Sequence, residues 1–316
     1  MRPLWKDILT AVWLGIILPG IVLNAFVLKE RHREAQTVQI AQEKPVQQSV
    51  RFIPLKDPDG TTTYMDLEAY LTGVLLAEIP ASFHEEALKA QSAAARTYAW
   101  KAYTTGGKHG GGCLCMDSSC CQAYIGEEAY LSRGGTQDNL EKVRRAVQAT
   151  SPMVLSYEGE LIEATYFSST GGSTEAAVAV WGADFPYLQA VSSPEKVLTE
   201  TVIFDRSHLE TLLNRPLAGD PEEWFTGMTH TDGGGVKKLE IGGETYTGVQ
   251  LRSLLGLRST SFQVHTDGQT VAFTTQGYGH RVGMSQYGAN AMAEAGSTWQ
   301  EILQHYYPGT TLHPIS

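Results

Sequence analysis

Two groups of side chains in this chain could do chemistry. The first is a single carboxyl, Glu78, in the stretch LLAEIPASF. Its neighbours Leu76, Ala77 and Ile79 are apolar, and it falls at the C-terminal end of a helical pattern. Desolvation and the negative end of a helix dipole both disfavour the ionised form of such a group. A carboxylic acid kept protonated near neutral pH is what a glycosidic oxygen needs from a general acid. Glu85 and Glu86 provide the contrast, since they fall in the first turn of a helix, where the dipole favours ionisation, and read as capping residues. Lys89 and Arg96 follow on that helix. A cation near Glu78 could orient it or hold a sugar N-acetyl or hydroxyl group.

The second group is a cluster. Cys113, Cys115, Cys120 and Cys121 lie within nine residues, just after His109. Close cysteines can pair in an oxidising space, but closing so short a loop removes little chain entropy. Alternatively, His109, Cys115 and Cys121 recur at a spacing of six. Imidazole and thiolate suit Zn²⁺, and three protein ligands leave a fourth position open. Zinc is the favoured reading, although the spacing matches no common zinc-finger pattern.

Other chemistries lose support. GYGHRVG is one residue off the dinucleotide fingerprint, and GMSQYG has one residue too many for a nucleophile elbow. His84-Glu85-Glu86 lacks the second histidine of a zincin motif, because position 88 is Leu, and there is no P-loop. The formal net charge of −10 argues against a nucleic-acid binder. With 316 residues, 42% of them hydrophobic, the chain is long enough to bury a real core.

The elements that must position these groups are legible in outline. Residues 8–28 form an uncharged apolar run of bilayer length without a good cleavage site, so 1–28 reads as a membrane anchor. Arg2 and Lys6 precede the run and Lys29, Arg31 and Arg33 follow it, a count that favours an outside N-terminus. The polar, Gln-rich stretch 29–50 reads as a linker. Leu67, Tyr70, Leu71, Val74 and Leu75 predict a helix over 66–77, capped by Asp66 and stopped by Pro80. Capping boxes are expected at Ser82/Glu85, Asp138/Glu141 and Ser297/Gln300. MVLSY with LIEATY, and SFQVHT with TVAFTT, read as hairpins. The more polar stretch 197–262 reads as a subdomain inserted into a main body of 51–196 and 263–316. Helices and strands mix without regular alternation, so the class is α+β.

YLTGVLLAEIPASFHEEALKAQSAAARTYAW, YFSSTGGST, the WG and FPYLQAV pieces, LRSLLGLRSTSF and GYGHRVGMSQYGANAMA together resemble the stage II sporulation protein D family, over roughly residues 53–312. The resemblance implies a peptidoglycan lytic transglycosylase of endospore formation. It would be a bitopic membrane protein with an inside N-terminus, against the charge count, and a groove for glycan strands stripped of stem peptides. It implies a companion amidase, stage II sporulation protein P, and a third membrane protein, stage II sporulation protein M. Glu78 falls on the family's catalytic acid and Arg96 on the arginine of its A-A-R-T-Y block. His109, Cys115 and Cys121 match the zinc ligands of some members, while Cys113 and Cys120 are additional. The family often has Lys two positions after the tyrosine of its P-Y-L block, where this chain has Gln189 after Tyr187. His280, Arg281, Ser285, Gln286 and Tyr287 of the Gly-rich block, with Ser169, Thr170, Gly171 and Gly172, are expected to line the sugar groove or hold its loops. Tyr98, Tyr166, Trp181 and Tyr187 are expected as stacking aromatics or as core.

Overall fold

The computed structural model describes residues 51–57 and 59–315. The anchor and linker expected over 1–28 and 29–50 lie outside these residues. Among the described residues no helix is long and apolar enough to cross a membrane.

The chain opens with an antiparallel pair, β1 (Phe52–Lys56) and β2 (Thr62–Asp66), and runs into α1 (Leu67–Glu78) and α2 (Glu85–Thr105). The short β3 (Leu114–Cys115) returns parallel to β1. Then come α3 (Glu127–Ser132), α4 (Gln137–Thr150), β4 (Met153–Tyr157), β5 (Glu160–Leu161), β6 (Tyr166–Phe167) and α5 (Ala177–Trp181). A further run holds β7 (Thr199–Asp205), α6 (Arg206–Leu213), β8 (Phe225–His230), β9 (Val236–Ile241), β10 (Glu244–Thr247), α7 (Gly248–Leu254), β11 (Phe262–Thr266) and β12 (Thr270–Gln276). The chain ends with β13 (Met284–Ser285), α8 (Gln286–Glu294), α9 (Trp299–Tyr306) and β14 (Thr311–Pro314). Small antiparallel sheets, β14-β4-β5, β8-β9-β10 and β7-β12-β11, alternate irregularly with helices, so the fold is α+β.

The ends of α1 fall where local chemistry puts them. The Asp66 carboxylate accepts the Ala69 N–H at 3.0 Å, and Ile79 turns to extended backbone before Pro80. The other caps differ from expectation by one or two residues. Ser82 is consumed in a turn closed by the Phe83 N–H on the Pro80 carbonyl, so His84 caps α2 through Nδ1. Thr136 caps α4 in place of Asp138, and Thr298 with Glu301 forms the box on α9 in place of Ser297 with Gln300. The capping residues Asp66, His84, Thr136 and Thr298 each have ψ between 133° and 159°, the extended backbone that lets a side chain turn back onto the first free N–H groups.

The core has three parts. One gathers Leu67, Tyr70, Leu71, Val74 and Leu75 of α1 with β1, α4 and one side of α2. A second joins the other side of α2 to α8, α9 and β4. The third runs from Phe204 to Phe273 and centres on Trp224, Leu239, Ile241, Leu251 and Phe273. Phe262, Val271 and Phe273 of the β11–β12 hairpin belong to this third core, so the hairpin packs with the segment that precedes it, and β12 pairs with β7 along its whole length.

Where α1, α2 and the α4–β4 corner meet, Arg96 is fully buried. Its guanidinium forks onto Glu68 (Nη2 to Oε2 2.7 Å, Nε to Oε1 3.2 Å) and also donates to the carbonyls of Val147, Thr150 and Met153. Removing one partner of such a pair strands the other. Arg96→Ala is therefore expected to cost about 3–5 kcal/mol in urea unfolding; a loss below about 1 kcal/mol would mean that this network does not hold the corner.

Candidate functional site

Glu78 stands four residues after Val74 and seven after Leu71, both fully buried, so it continues the inward face of α1 to the helix's last turn. There the face runs out of core and opens on a groove of about 360 Å³. Glu78 lines this groove with Tyr98, Ser118, Cys121, Gln122, Thr165 to Ser168, Arg252 and Tyr278 to His280. Burial pushes the Glu78 carboxyl above its usual value, opposed by the Ala123 N–H, which Oε1 accepts at 2.7 Å. Beside it, Gln122 bridges two tyrosines: its Oε1 accepts the Tyr70 hydroxyl at 3.2 Å, and its Nε2 donates to the Tyr166 hydroxyl at 2.8 Å. These bonds fix the backbone that presents Ala123 to Glu78.

The opposite boundary comes from the Gly-rich block. His280 donates Nε2–H to the Tyr166 carbonyl at 3.1 Å and accepts the Val282 N–H at Nδ1. Both ring nitrogens are engaged in the neutral tautomer. Burial, with the positive charge of Arg252, holds its pKa down at about 4. The rings of Phe167 and Trp181 lie 5.6 and 5.3 Å from the imidazole. Tyr278 is half exposed in the groove, with the Arg258 guanidinium 5.3 Å from its ring centre.

Of the substrate-binding residues expected from the sequence, His280 alone lines the groove with Glu78. Arg96 does not approach it, because its donors are taken up by Glu68 and the α4–β4 carbonyls. Ser169, Thr170 and Ser285 are buried. The Thr170 N–H and the Ser285 hydroxyl both donate to Glu195 Oε1, at 2.6 and 2.7 Å, so one buried carboxylate ties the two loops together. Arg281 is buried, has a φ of 66°, and donates to Glu175 and to the carbonyls of Ser173 and Gly233. It clamps the β8–β9 loop to the segment that holds Ser173 and Glu175. Gly235 completes the clamp, since a Cβ there would lie 2.3 Å from Glu175 Oε1. Gln286 is buried, the Tyr287 ring packs on Phe83 at 5.0 Å, and the Tyr187 hydroxyl accepts the Glu163 N–H. Among the aromatics, Tyr98 and Tyr166 line the groove.

The cysteine loop forms one wall. The ligand atoms of His109, Cys115, Cys120 and Cys121 all lie within 4.8 Å of one another. His109 Nε2 is 3.4 Å from the Cys120 sulfur and 3.6 Å from that of Cys121, and the two sulfurs are 4.0 Å apart. A tetrahedral zinc site with Zn–S of about 2.3 Å and Zn–N of about 2.0 Å has edges of about 3.5–3.8 Å, so this donor set fits the ion. All four cysteines are free thiols, and Cys113 stands outside the set. Cys120 joins the three ligands expected from the sequence, because a turn closed on the Asp117 carbonyl by the N–H groups of Cys120 and Cys121 brings both thiols toward one centre.

Arg252, Gln122 and Tyr278 were not foreseen. Gln122 adjoins Cys121, so its placement follows from the cysteine cluster once that cluster is folded. Arg252 comes from α7, far along the chain, and no local signal marks it.

The stage II sporulation protein family model matches residues 59–157. Stage II sporulation protein D of Bacillus amyloliquefaciens is 35% identical over 294 residues, covering 89% of this chain and 85% of its own. That of Bacillus subtilis (strain 168) is 36% identical over 288 residues, covering 88% and 80%. The amidase enhancer of Bacillus subtilis (strain 168) is 33% identical over 302 residues, which cover 77% of this chain and 40% of that protein. With identity at this level across almost the whole length of both chains, the protein belongs to the stage II sporulation protein D family.

Proposed function

We propose that the chain is a lytic transglycosylase that cleaves peptidoglycan strands already freed of stem peptides, between N-acetylmuramic acid and N-acetylglucosamine. The observation that carries this reading is the solitary carboxyl. Glu78 is the one acid among the described residues lining the groove, and burial favours its protonated form. Hydrolytic glycosidases work with a pair of carboxylates flanking the bond. A single acid suffices when the nucleophile belongs to the sugar. Protonated Glu78 gives its proton to the bridging oxygen as the C1–O bond breaks. The C6 hydroxyl of the same muramyl ring then bonds to C1, and its proton returns to Glu78. The product is a 1,6-anhydro end, no water is consumed, and the acid is regenerated.

Other residues hold this acid in place. The Ala123 N–H fixes one carboxyl oxygen, and the Gln122–Tyr70–Tyr166 bonds fix Ala123. The shape and polarity of the groove supply binding.

A zinc ion held by His109, Cys115, Cys120 and Cys121 fits the same reading as a structural element. Four protein donors complete its coordination, so it would stabilise the loop that presents Gln122 and Ala123. This speaks against a catalytic metal and hence against a zinc amidase.

The apolar run 8–28 is proposed as the membrane anchor that keeps the body beside the wall during engulfment, with stage II sporulation proteins P and M as partners. A non-enzymatic wall-binding scaffold is the competing class, and product analysis separates the two.

Glu78→Gln is expected to abolish release of anhydro-muramyl ends from stripped glycan, measured by mass spectrometry. Reducing ends from the unaltered protein would overturn the reaction type. Because the Glu78 carboxyl is raised, rate should persist above the ordinary carboxylate range and fall as pH rises through its shifted value. By linkage, ionising this group costs stability on the same rise, so Glu78→Gln should melt at the same or a higher temperature at neutral pH.

Metal analysis of the purified protein should find one zinc per chain, kept in Cys113→Ser and lost in Cys120→Ser. Chelation should lower the melting temperature. Full stability in the chelated protein would remove the metal from this account.

A further inference from the structure

Arg252 has no part in the reaction just described, yet it is the one permanent cation among the described residues lining the groove. It is half-buried. Its Nε–H is taken by the Arg258 carbonyl at 3.3 Å, which orients the planar fork. Neither Nη atom donates to a protein group, and no carboxylate pairs with Arg252, among the described residues. Its neighbour Arg258 differs, for it pairs with Glu200 and stacks on Tyr278. Among the described residues, the one carboxylic acid lining the groove, Glu78, is bonded to the Ala123 N–H and makes no ion pair with Arg252. In a chain of net charge −10, this is a local positive site withdrawn from water and left open.

Such a site selects an anion. A guanidinium whose two terminal nitrogens are free matches the two oxygens of a carboxylate in a bidentate pair. On the proposed substrate, hydroxyl and acetamide groups are neutral. The ionised group is the lactyl carboxylate of N-acetylmuramic acid, which exists only after the amide to the stem peptide has been cut. We infer that Arg252 is a specificity residue that reads this free lactyl carboxylate, so that the groove distinguishes stripped strands from peptide-bearing ones by charge. The inference rests on the glycan reading of the site.

The test compares stripped glycan with the same glycan whose lactyl carboxylates have been converted to carboxamides. Full-length protein and its Arg252→Gln and Arg252→Lys variants are assayed for kcat and KM. For the unaltered protein KM should be about ten- to a hundredfold lower on the carboxylate strands. Arg252→Gln should show equal KM on the two strands, and Arg252→Lys should keep part of the preference. Strand binding is measured in parallel in the Glu78→Gln background, so the inference is decided even without turnover. Absence of anhydro ends from either strand would sink the proposed reaction and leave the binding comparison standing. Equal binding of both strands by the unaltered Arg252 site, or an undiminished preference in Arg252→Gln, would overturn the role given to Arg252.

Discussion

The structure depends on how closely other elements can approach α2. Ala87, Ala90, Ala93, Ala94, Ala95 and Ala99 are all fully buried on this one helix. Small side chains let backbones come near from several directions, and they divide between two cores: Ala95 and Ala99 in one, Ala87, Ala90, Ala93 and Ala94 in the other. The helix has 21 residues, so at about 1.5 Å per residue it spans roughly 31 Å. Its start is tied to the C-terminal helices, where the Trp299 N–H donates to Glu86 and the His84 N–H to Asn290. Its end delivers the chain to the cysteine loop, which comes back with Gln122 and Ala123 to meet Glu78. Added bulk on the alanine face would therefore disturb the site as well as the core.

Against this frame, three buried or half-buried carboxyls have different fates. Glu195 gathers the Thr170 N–H and the hydroxyls of Ser193 and Ser285. Glu175 pairs with Arg281 and also takes the Gly235 N–H and the Thr231 hydroxyl. Three donors converge on each, all of them on Oε1 in Glu175, and both serve as knots between loops. Glu78 receives one backbone N–H and faces the groove. Burial with few donors favours a neutral carboxyl. The distinction between a structural and a reactive acid thus lies in the number of donors around each.

That distinction also explains what could be read from the chain. α1 was legible because period, cap and stop agree: five apolar residues on one face, Asp66 before them and Pro80 after. Glu78 was marked by its apolar neighbours at the end of the same pattern, and its spacing from Leu71 and Val74 turns it inward in the structure. The Gly-rich block was harder. Ser169, Thr170, Arg281 and Ser285 are polar residues in loops, and polarity alone does not tell a ligand-facing side chain from one turned inward to a partner such as Glu195 or Glu175. Those partners lie up to 106 residues away in sequence, as Glu175 does from Arg281, so spacing carries no trace of them. Arg96 was misplaced for the same reason, its partner Glu68 being on another helix. The cysteine loop was legible as a donor set, but the turn at Asp117 that adds Cys120 is a matter of backbone geometry.

The third core explains how a residue as distant as Arg252 reaches the groove. Val236, Leu239, Ile241 and Leu251 are buried together, which fixes α7 on its sheet. Gly248 allows the contact, because a Cβ there would lie 2.0 Å from the Val236 carbonyl. The segment that carries α7 is tied to the Gly-rich block by Arg281 on the Gly233 carbonyl and by the Gly279 N–H on the Arg258 carbonyl. The same Arg258 carbonyl accepts from Arg252. One backbone oxygen therefore couples the Gly-rich block, which carries His280, to the guanidinium on α7. A groove wall built this way can change its chemistry by substitution on α7 without altering the helix that carries Glu78. The acid and the guanidinium are held by separate cores and share only the groove that both of them line.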